Sequence, residues 1–198
     1  MDLYQSCTAD PDLSAKVPLL HLDDGSVLVE SMVILDYLEE IAPAAGFTAV
    51  QRARARLFAN LFPGRLSSFG ILKTESGSEE EAAAVTKLRQ DLRTMNAFLL
   101  ASHPTGPFLF GSEFSYAEAA AAPFAQRLAT VLPGLRPEHD PRKWMAEDEL
   151  SRLADWLTAV CARPSCADTL PPEDDLITGF SKLVDRMKAM SAGGSATK

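Results

Sequence analysis

The segment from Lys16 to Ile41 constrains the fold of this chain more than any other. Two short apolar runs, Val17–Leu22 and Ser26–Val29, flank an Asp-Asp-Gly sequence. Because glycine tolerates the positive φ that tight hairpin turns require, this pattern predicts two antiparallel strands. Apolar residues at helical spacing follow the second run directly. The segment therefore predicts a strand, a turn, a strand and a helix in close succession.

Two polar residues, Glu30 and Ser31, stand where the second predicted strand meets the helix. The first amides of a helix have no intrahelical partner and attract anions, so Ser31 and its neighbours suit a carboxylate. The acidic side chain of Glu30 suits an ammonium group. The same residues also fit an ordinary helix start with a capping serine that binds no ligand. Spacing alone leaves both interpretations open.

This segment resembles the second half of the thioredoxin-like domain of glutathione transferases. The resemblance lies in three motifs: K-V-P-L-L at residues 16–20, L-V-E-S at residues 28–31 and Y-L at residues 37–38. In that family the proline of the first motif follows a cis peptide bond. The resemblance therefore implies a glutathione-binding lobe with a cis bond between Val17 and Pro18.

The resemblance also implies a role for each residue of the binding site. Val17 would pair its backbone with the cysteinyl part of glutathione, as a strand pairs with an extended peptide. Glu30 and Ser31 would hold the γ-glutamyl end, and Lys16 would reach the glycyl carboxylate. Pro18 would have a structural role. Glutathione enters as a co-substrate, and no metal ligands are predicted.

A second family motif occurs in the middle of the chain, where Phe108–Gly111 precedes Phe114–Glu118. It resembles the F-L-x-G-x-x-x-[ST]-x-A-D sequence of glutathione transferases, with glutamate in place of the usual aspartate. Ser115 and Glu118 have the spacing of a capping box, in which each side chain accepts a hydrogen bond from a backbone amide near the helix start. Their predicted role is therefore structural.

The remainder of the chain has helical patterns, beginning after a linker marked by Pro43 and Gly46. Five helices are predicted: Thr48–Leu72, Glu79–Ser102, Phe114–Leu132, Trp144–Ala162 and Glu173–Met190. The first is expected to bend at Pro63–Gly64. The predicted fold is α/β plus all-α. It comprises a truncated thioredoxin-like lobe at residues 1–42, a glutathione transferase-type helical domain at residues 47–190 and a flexible tail at residues 191–198.

The predicted lobe is truncated because the family's first strand, first helix and most of its second strand would lie ahead of residue 1. The family's catalytic tyrosine, serine or cysteine belongs to that part, so the catalytic residue is unknown. Cys7 is a poor substitute, because Asp10 and Asp12 are close to it in sequence and disfavour a thiolate.

Composition argues against several classes of partner. The net charge of −8 and the sequence pI of about 4.9 disfavour nucleic acid and acidic membrane surfaces. The sequence has no apolar run of about 18 residues, so no membrane span is predicted. The three cysteines lack metal-ligand spacing and are odd in number, which favours reduced thiols over a disulfide scaffold. Reduced thiols are typical of a reducing compartment, so a cytoplasmic location is predicted.

Three aromatic residues, Phe58, Phe62 and Phe69, occupy the helix that borders the electrophile pocket in glutathione transferases. Such a stripe is more often part of the core than of a ligand site. If a hydrophobic substrate site exists, these residues and Tyr116 are the candidates to line it.

The leading prediction is a glutathione transferase-like protein, with activity impaired by the missing segment. It would use glutathione for conjugation, or for thiol–disulfide or dehydroascorbate-type reduction, of a small electrophilic or oxidised substrate. A homodimer is one assembly that the resemblance allows. The alternative is a non-catalytic interaction module, like the transferase-like domains attached to elongation factors and aminoacyl-tRNA synthetases. An incomplete gene product is a third interpretation.

Overall fold

The structure is a computed structural model that describes residues 17–43 and 46–193. The chain divides into two compact units, the first ending at Arg52 and the second beginning at Ala53. The domain limits predicted from the sequence, at residues 42 and 47, stay a prediction. In the described residues, no helix is long and apolar enough to cross a membrane.

The first unit contains the predicted hairpin and helix. Strand β1 (Leu19–His21) pairs antiparallel with β2 (Val27–Val29), with Leu19 opposite Val29, and helix α1 (Ser31–Ile41) follows at once. The antiparallel pairing is confirmed, and so is the cis peptide bond between Val17 and Pro18. Both strands are shorter than predicted. Proline has no amide hydrogen to donate to a ladder, which limits β1 at its start.

The turn between the strands depends on Gly25. Its φ of 85° lies in the left-handed region, which a residue with a side chain rarely adopts. The Gly25 amide donates to the Leu22 carbonyl at 3.0 Å, and the Leu22 amide donates to the Ser26 carbonyl at 2.9 Å. Asp24 Oδ1 accepts from the Ser26 amide at 2.8 Å, and this hydrogen bond lowers the pKa of Asp24. The turn thus takes up Leu22 and Ser26, which were predicted as strand.

The described part of the second unit is helical. Its elements begin with α2 (Ala49–Arg65), which starts ahead of the division between the units. The others are α3 (Phe69–Leu72), α4 (Glu79–Ser102), α5 (Tyr116–Leu135), α6 (Pro141–Glu147), α7 (Ser151–Ala162), α8 (Pro164–Ala167) and α9 (Glu173–Gly193). Together with the small sheet of the first unit, this arrangement confirms the predicted fold class.

Helix α4 has the limits that the sequence predicts. Ser78 caps its start, because the Ser78 hydroxyl oxygen accepts from the Glu81 amide at 3.1 Å. Three glutamates occupy the first turn, where negative charge interacts favourably with the helix dipole. Local chemistry alone therefore fixes where this helix begins.

Two predicted helices are each divided in the structure. The segment predicted as Thr48–Leu72 is interrupted after Arg65, and α3 begins at Phe69. Pro63 does not end α2, because it lies in the last turn of the helix, two residues before that end. The bend expected at Pro63 is thus a break a few residues later.

The segment predicted as Trp144–Ala162 is also two helices, α6 and α7. Glu149 has a φ of 55°, and the Leu150 amide donates to the Met145 carbonyl at 2.8 Å. This is the hydrogen bond of a Schellman ending, with glutamate at the left-handed position that glycine usually occupies. Leu150 is buried, so the reversal directs an apolar side chain into the core.

Trp156 of α7 lies at the centre of the helical core and is fully buried. Its ring centroid is 5.3 Å from that of Phe58 and 4.9 Å from that of Phe62. Rings at these separations pack favourably beyond the burial of their area. The three aromatic rings therefore join α2 to α7.

The loop between α4 and α5 is fastened by a buried arginine of α7. The Nε of Arg152 donates to the His103 carbonyl at 3.1 Å, and its Nη2 donates to the Phe108 carbonyl. Arg152 is only 4% exposed, and this burial lowers the pKa of its guanidinium. Its two bonds hold the loop at its first residue and near its middle.

Candidate glutathione site and the family of the chain

The junction of β2 with α1 has an uncommon backbone geometry. Glu30, the residue that precedes the helix, has a φ of 71° and a ψ of 118°. Residues other than glycine rarely adopt a positive φ, and such positions cluster at ligand sites. Within the described part of the chain, the Glu30 side chain makes no capping hydrogen bond to the helix. The first amides of α1 are thus left without a cap from Glu30.

The strand register brings a second part of the predicted site to this junction. Leu19 lies opposite Val29 in the antiparallel pair, so Pro18 and Val17 continue β1 at the end where β2 runs into Glu30. Glu30 and Val17 are both exposed, Val17 to 91% of its full area. Backbone and side-chain groups of both segments are therefore accessible at one end of the hairpin.

This end of the hairpin can recognise an amino-acid terminus. Exposed amides at the start of a helix attract a carboxylate, and the Ser31 hydroxyl can add a hydrogen bond. The carboxylate of Glu30 offers the opposite charge to an α-ammonium group beside it. The exposed residue Val17, two positions ahead of β1, can offer its backbone groups to a bound peptide. Lys16, the remaining predicted ligand, lies outside the described residues, as does Cys7.

The second family motif forms the predicted capping box at the start of α5. The Ser115 hydroxyl oxygen accepts from the Ala117 amide at 3.2 Å, and Glu118 Oε2 accepts from the Ser115 amide at 2.9 Å. Glu118 is fully buried, and its Oε1 also accepts from the Leu109 amide at 2.7 Å. Ser115 and Glu118 therefore work inside the core and are not exposed to a ligand.

The aromatic candidates separate into two groups. Phe58 and Phe62 are fully buried in the core, and Tyr116 is 7% exposed. Phe69 lines a cavity within the second unit, together with Phe180 of α9. Of the four aromatic residues considered from the sequence, Phe69 is the one that borders this cavity.

A cluster of Glu81, Glu138 and His139 brings ligand atoms within 4.8 Å of one another. Arg136 occupies the same place, since its Nε is 3.3 Å from Glu81 Oε1, and His139 Nε2 is 3.2 Å from the same oxygen. A guanidinium beside the carboxylate opposes a bound cation. The cluster is therefore an ion-pair network that joins the start of α4 to the segment after α5.

Neither cysteine in the described residues has the surroundings of a reactive thiol. Burial raises the pKa of the Cys161 thiol, which disfavours its thiolate. Cys166 is buried. The structure of the described part thus assigns no nucleophile.

Comparison with known families agrees with these features. Residues 9–41 match the family described as glutathione S-transferase, N-terminal domain. Residues 78–159 match the family described as glutathione S-transferase, C-terminal domain. The two matches together span more than half of the chain. The chain belongs to the glutathione transferase superfamily.

Individual relatives are identical to this chain at about a quarter of the aligned residues. A probable glutathione S-transferase from Nicotiana tabacum is 25% identical over 186 residues, which are 92% of this chain and 77% of the relative.

Two solved structures extend the comparison to the fold. Rice GST1, solved in complex with glutathione, matches with a TM-score of 0.68 and 24% identity. The match covers 94% of this chain and 81% of the rice chain. Leishmania TDR1, a trimeric glutathione transferase, has a TM-score of 0.67 at 25% identity and covers 83% of this chain. This chain spans only 36% of the Leishmania protein.

Proposed function

We propose that this protein binds glutathione at the end of the hairpin in its first unit and uses it on a small substrate. The observation that carries the proposal is the backbone of Glu30. A positive φ costs about 1–3 kcal/mol at a residue with a side chain, and such strain is typical of positions that hold a ligand. Glu30 places this conformation beside a helix start that its side chain leaves uncapped.

The proposed contacts divide the tripeptide among four residues. Ser31 and the first amides of α1 bind the γ-glutamyl carboxylate, and Glu30 binds the α-ammonium group of the same end. The Val17 backbone pairs with the cysteinyl unit. Lys16 binds the glycyl carboxylate, a contact that comes from the resemblance alone.

The proposed reaction uses the glutathione sulfur. A free thiol has a pKa of about 8.5, so only a few per cent is thiolate at neutral pH. The thiolate would add to an electrophilic carbon–carbon double bond, which then takes up a proton, or would displace a leaving group from carbon, forming a thioether in either case. Alternatively, two glutathione thiols would be oxidised together to glutathione disulfide, and their two electrons and two protons would reduce a disulfide to two thiols or a dehydroascorbate-type compound to its enediol. We assign no catalytic residue among the described ones.

Isothermal titration with glutathione tests the binding site. Ser31→Ala should weaken binding by about 1–3 kcal/mol, because the charged carboxylate loses a hydrogen bond. Glu30→Gln should weaken it as well, since the ammonium group loses its opposite charge. Ser151→Ala is the matched control: Ser151 is an exposed serine at the start of α7 and should leave affinity unchanged.

Two results would count against the proposal. One is the absence of heat from glutathione with the unaltered protein at millimolar concentration. The other is equal affinity in the Ser31→Ala, Glu30→Gln and Ser151→Ala variants. Circular dichroism should show that each variant keeps its helical content.

The proposal also includes a homodimer in the cytoplasm. The number and spacing of the three cysteines support a reducing compartment. Sedimentation equilibrium measures the assembly, and a monomer at all concentrations would remove the dimer from the proposal.

A further inference from the structure

Arg127 of α5 lies against two phenylalanine rings in the second unit. Its Cζ is 5.1 Å from the ring centroid of Phe124 and 5.3 Å from that of Phe180. The Phe180 ring also stacks on Phe69, with 5.8 Å between centroids and 29° between planes. Residues from α3, α5 and α9 thus assemble one aromatic cluster around a guanidinium.

The charge of Arg127 has no opposite charge beside it. Among the residues that the structure describes, none forms an ion pair or hydrogen bond with its side chain. Partial burial lowers the pKa of its guanidinium, and no carboxylate acts to raise it. By contrast, Arg89 is paired with Asp148 at 2.7 Å, and this partner raises its pKa. Arg127 therefore keeps its donors available for an anion.

Arg127 lines the cavity that Phe69 borders. The cavity has a volume of about 60 Å³, and Phe124, Leu128, Phe180 and Ser67 also contribute to its wall. About 10–15 Å³ on this measure holds one water molecule, so the space equals that of about four to six waters. This is the size of one aromatic ring with a small substituent.

We propose that this cavity binds a compact aromatic carboxylate, with Arg127 pairing with the carboxylate and the phenylalanine rings packing against the ligand ring. A guanidinium matches a carboxylate through two parallel hydrogen bonds, and partial removal from water strengthens the pair. The carboxylate site names a substrate class for the proposed function, and as a substrate site it rests on that function. Binding of the acid itself requires no glutathione.

A neutral aromatic ligand is disfavoured by the same observations. Binding of a neutral ligand beside Arg127 would remove water from the guanidinium without providing an opposite charge, which costs free energy. A carboxylate provides that partner. Selectivity for the acid over its neutral amide is therefore the property that distinguishes a binding site from simple packing.

The test compares two probes of nearly equal shape by ¹⁹F NMR titration: 3-fluorobenzoate and 3-fluorobenzamide. The unaltered protein should bind the acid at least tenfold more tightly than the amide. Arg127→Gln should bring the affinity for the acid down to that for the amide. Arg127→Lys should keep part of the preference, because it keeps the charge and loses the planar pair of donors.

Lys182→Gln is the control for net charge, since Lys182 is exposed on α9 close to Phe180 in sequence. It should leave the preference intact. Phe180→Leu keeps an apolar side chain of similar size and should weaken both probes together. Equal binding of acid and amide by the unaltered protein would overturn the proposal, and so would a preference that survives Arg127→Gln.

The two proposals fail separately. Glutathione titration of Arg127→Gln should match the unaltered protein, and 3-fluorobenzoate titration of Ser31→Ala should do the same. In the unaltered protein, equal binding of the acid and the amide together with glutathione binding would reject only the carboxylate site. Acid selectivity in the unaltered protein without glutathione binding would reject only the glutathione site.

Discussion

The indole Nε1 of Trp156 donates a hydrogen bond to Oε1 of Glu118 at 3.0 Å. Both residues are fully buried, and Glu118 accepts further hydrogen bonds from Leu109 and from Ser115. A carboxylate in the core is tolerated because several donors replace its water. The capping box of α5 is thereby joined to the aromatic core.

A double-mutant cycle measures this link. Glu118→Gln, Trp156→Phe and the double variant should show a coupling of about 1–2 kcal/mol in urea unfolding followed by circular dichroism. The single variants should each destabilise, and the double variant should cost less than their sum. Strict additivity would show that the indole hydrogen bond contributes nothing to stability.

Two glycines with a positive φ should respond differently to alanine. Gly106 and Gly77 have φ values of 99° and 81°. A Cβ on Gly106 would lie 2.7 Å from the backbone of Gly111, whereas a Cβ on Gly77 would meet nothing within 4 Å. Gly77→Ala should cost about 1–2 kcal/mol, the penalty of the left-handed conformation.

Gly106→Ala should cost at least about 2 kcal/mol more, because backbone atoms cannot move aside as a flexible side chain can. Urea unfolding of the two variants gives the comparison. Equal costs would mean that the loop shifts to accommodate the methyl group.

Glu30→Gly should separate stability from binding. Glycine relieves the positive φ but loses more entropy on folding, so the local stability of the first unit should stay unchanged or rise by up to about 1 kcal/mol. Affinity for glutathione should fall, since the carboxylate is lost. Hydrogen exchange of the α1 amides and calorimetry measure the two effects.

The matched variant is Glu40→Gly, on the exposed side of α1. It should destabilise the helix by up to about 1 kcal/mol, because glycine is an unfavourable helix residue and Glu40 lies in the last turn of α1. A loss of stability in Glu30→Gly as large as in Glu40→Gly would argue against strain at Glu30.

Acid should weaken the network around Glu81. The Gly77 amide, which donates to Glu81 Oε2 at 2.7 Å, is the main cause that lowers the pKa of Glu81 below 4.5, and His139 and Arg136 lower it further. A carboxyl group whose pKa is lower in the folded protein than in the unfolded chain stabilises the fold. This stabilisation is complete at a pH above the pKa of the unfolded chain, and it is lost as the pH falls through the pKa of the folded protein.

Glu81→Gln should therefore reduce the loss of stability as the pH falls below about 4.5, compared with the unaltered protein. Thermal unfolding at a series of pH values measures the difference. Glu79→Gln changes an exposed glutamate in the same helical turn and should leave the pH dependence as it is. Parallel curves for Glu81→Gln and the unaltered protein would contradict the prediction.

Local sequence signals predicted the elements that local chemistry determines. The Asp-Gly turn located the hairpin, and Ser78 with the following glutamates located the start of α4. The same signals placed Glu30 and Ser31 at a helix start. These signals did not predict the positive φ of Glu30, because residues other than glycine rarely adopt a positive φ and glutamate gives no indication of one.

The division between α6 and α7 had no local signal. Glutamate is a good helix former, yet Glu149 takes the left-handed position that ends α6. Asp148 beside it is bound by Arg89 and Arg93 of α4, and these arginines lower its pKa. Contacts across more than 50 residues thus accompany an ending that helical periodicity does not reveal.

The cluster around Arg127 could not be predicted for a similar reason. Phe58 and Phe62 share a helical stripe that is visible in the sequence, and both are buried in the core. Phe69, Arg127 and Phe180 come from three helices and have no common spacing. Only the packing of the helices brings them together.

The bonds from Arg152 to the His103 and Phe108 carbonyls have a consequence for the order in which the chain folds. The loop at residues 103–110 is fastened by a side chain more than 40 residues further along the chain, so these two bonds form only after α7 has docked. Closing such a long segment is slow compared with forming a helix. The loop and α7 should therefore open and close as one cooperative unit, and a nascent chain that lacks α7 would leave this loop accessible to proteases.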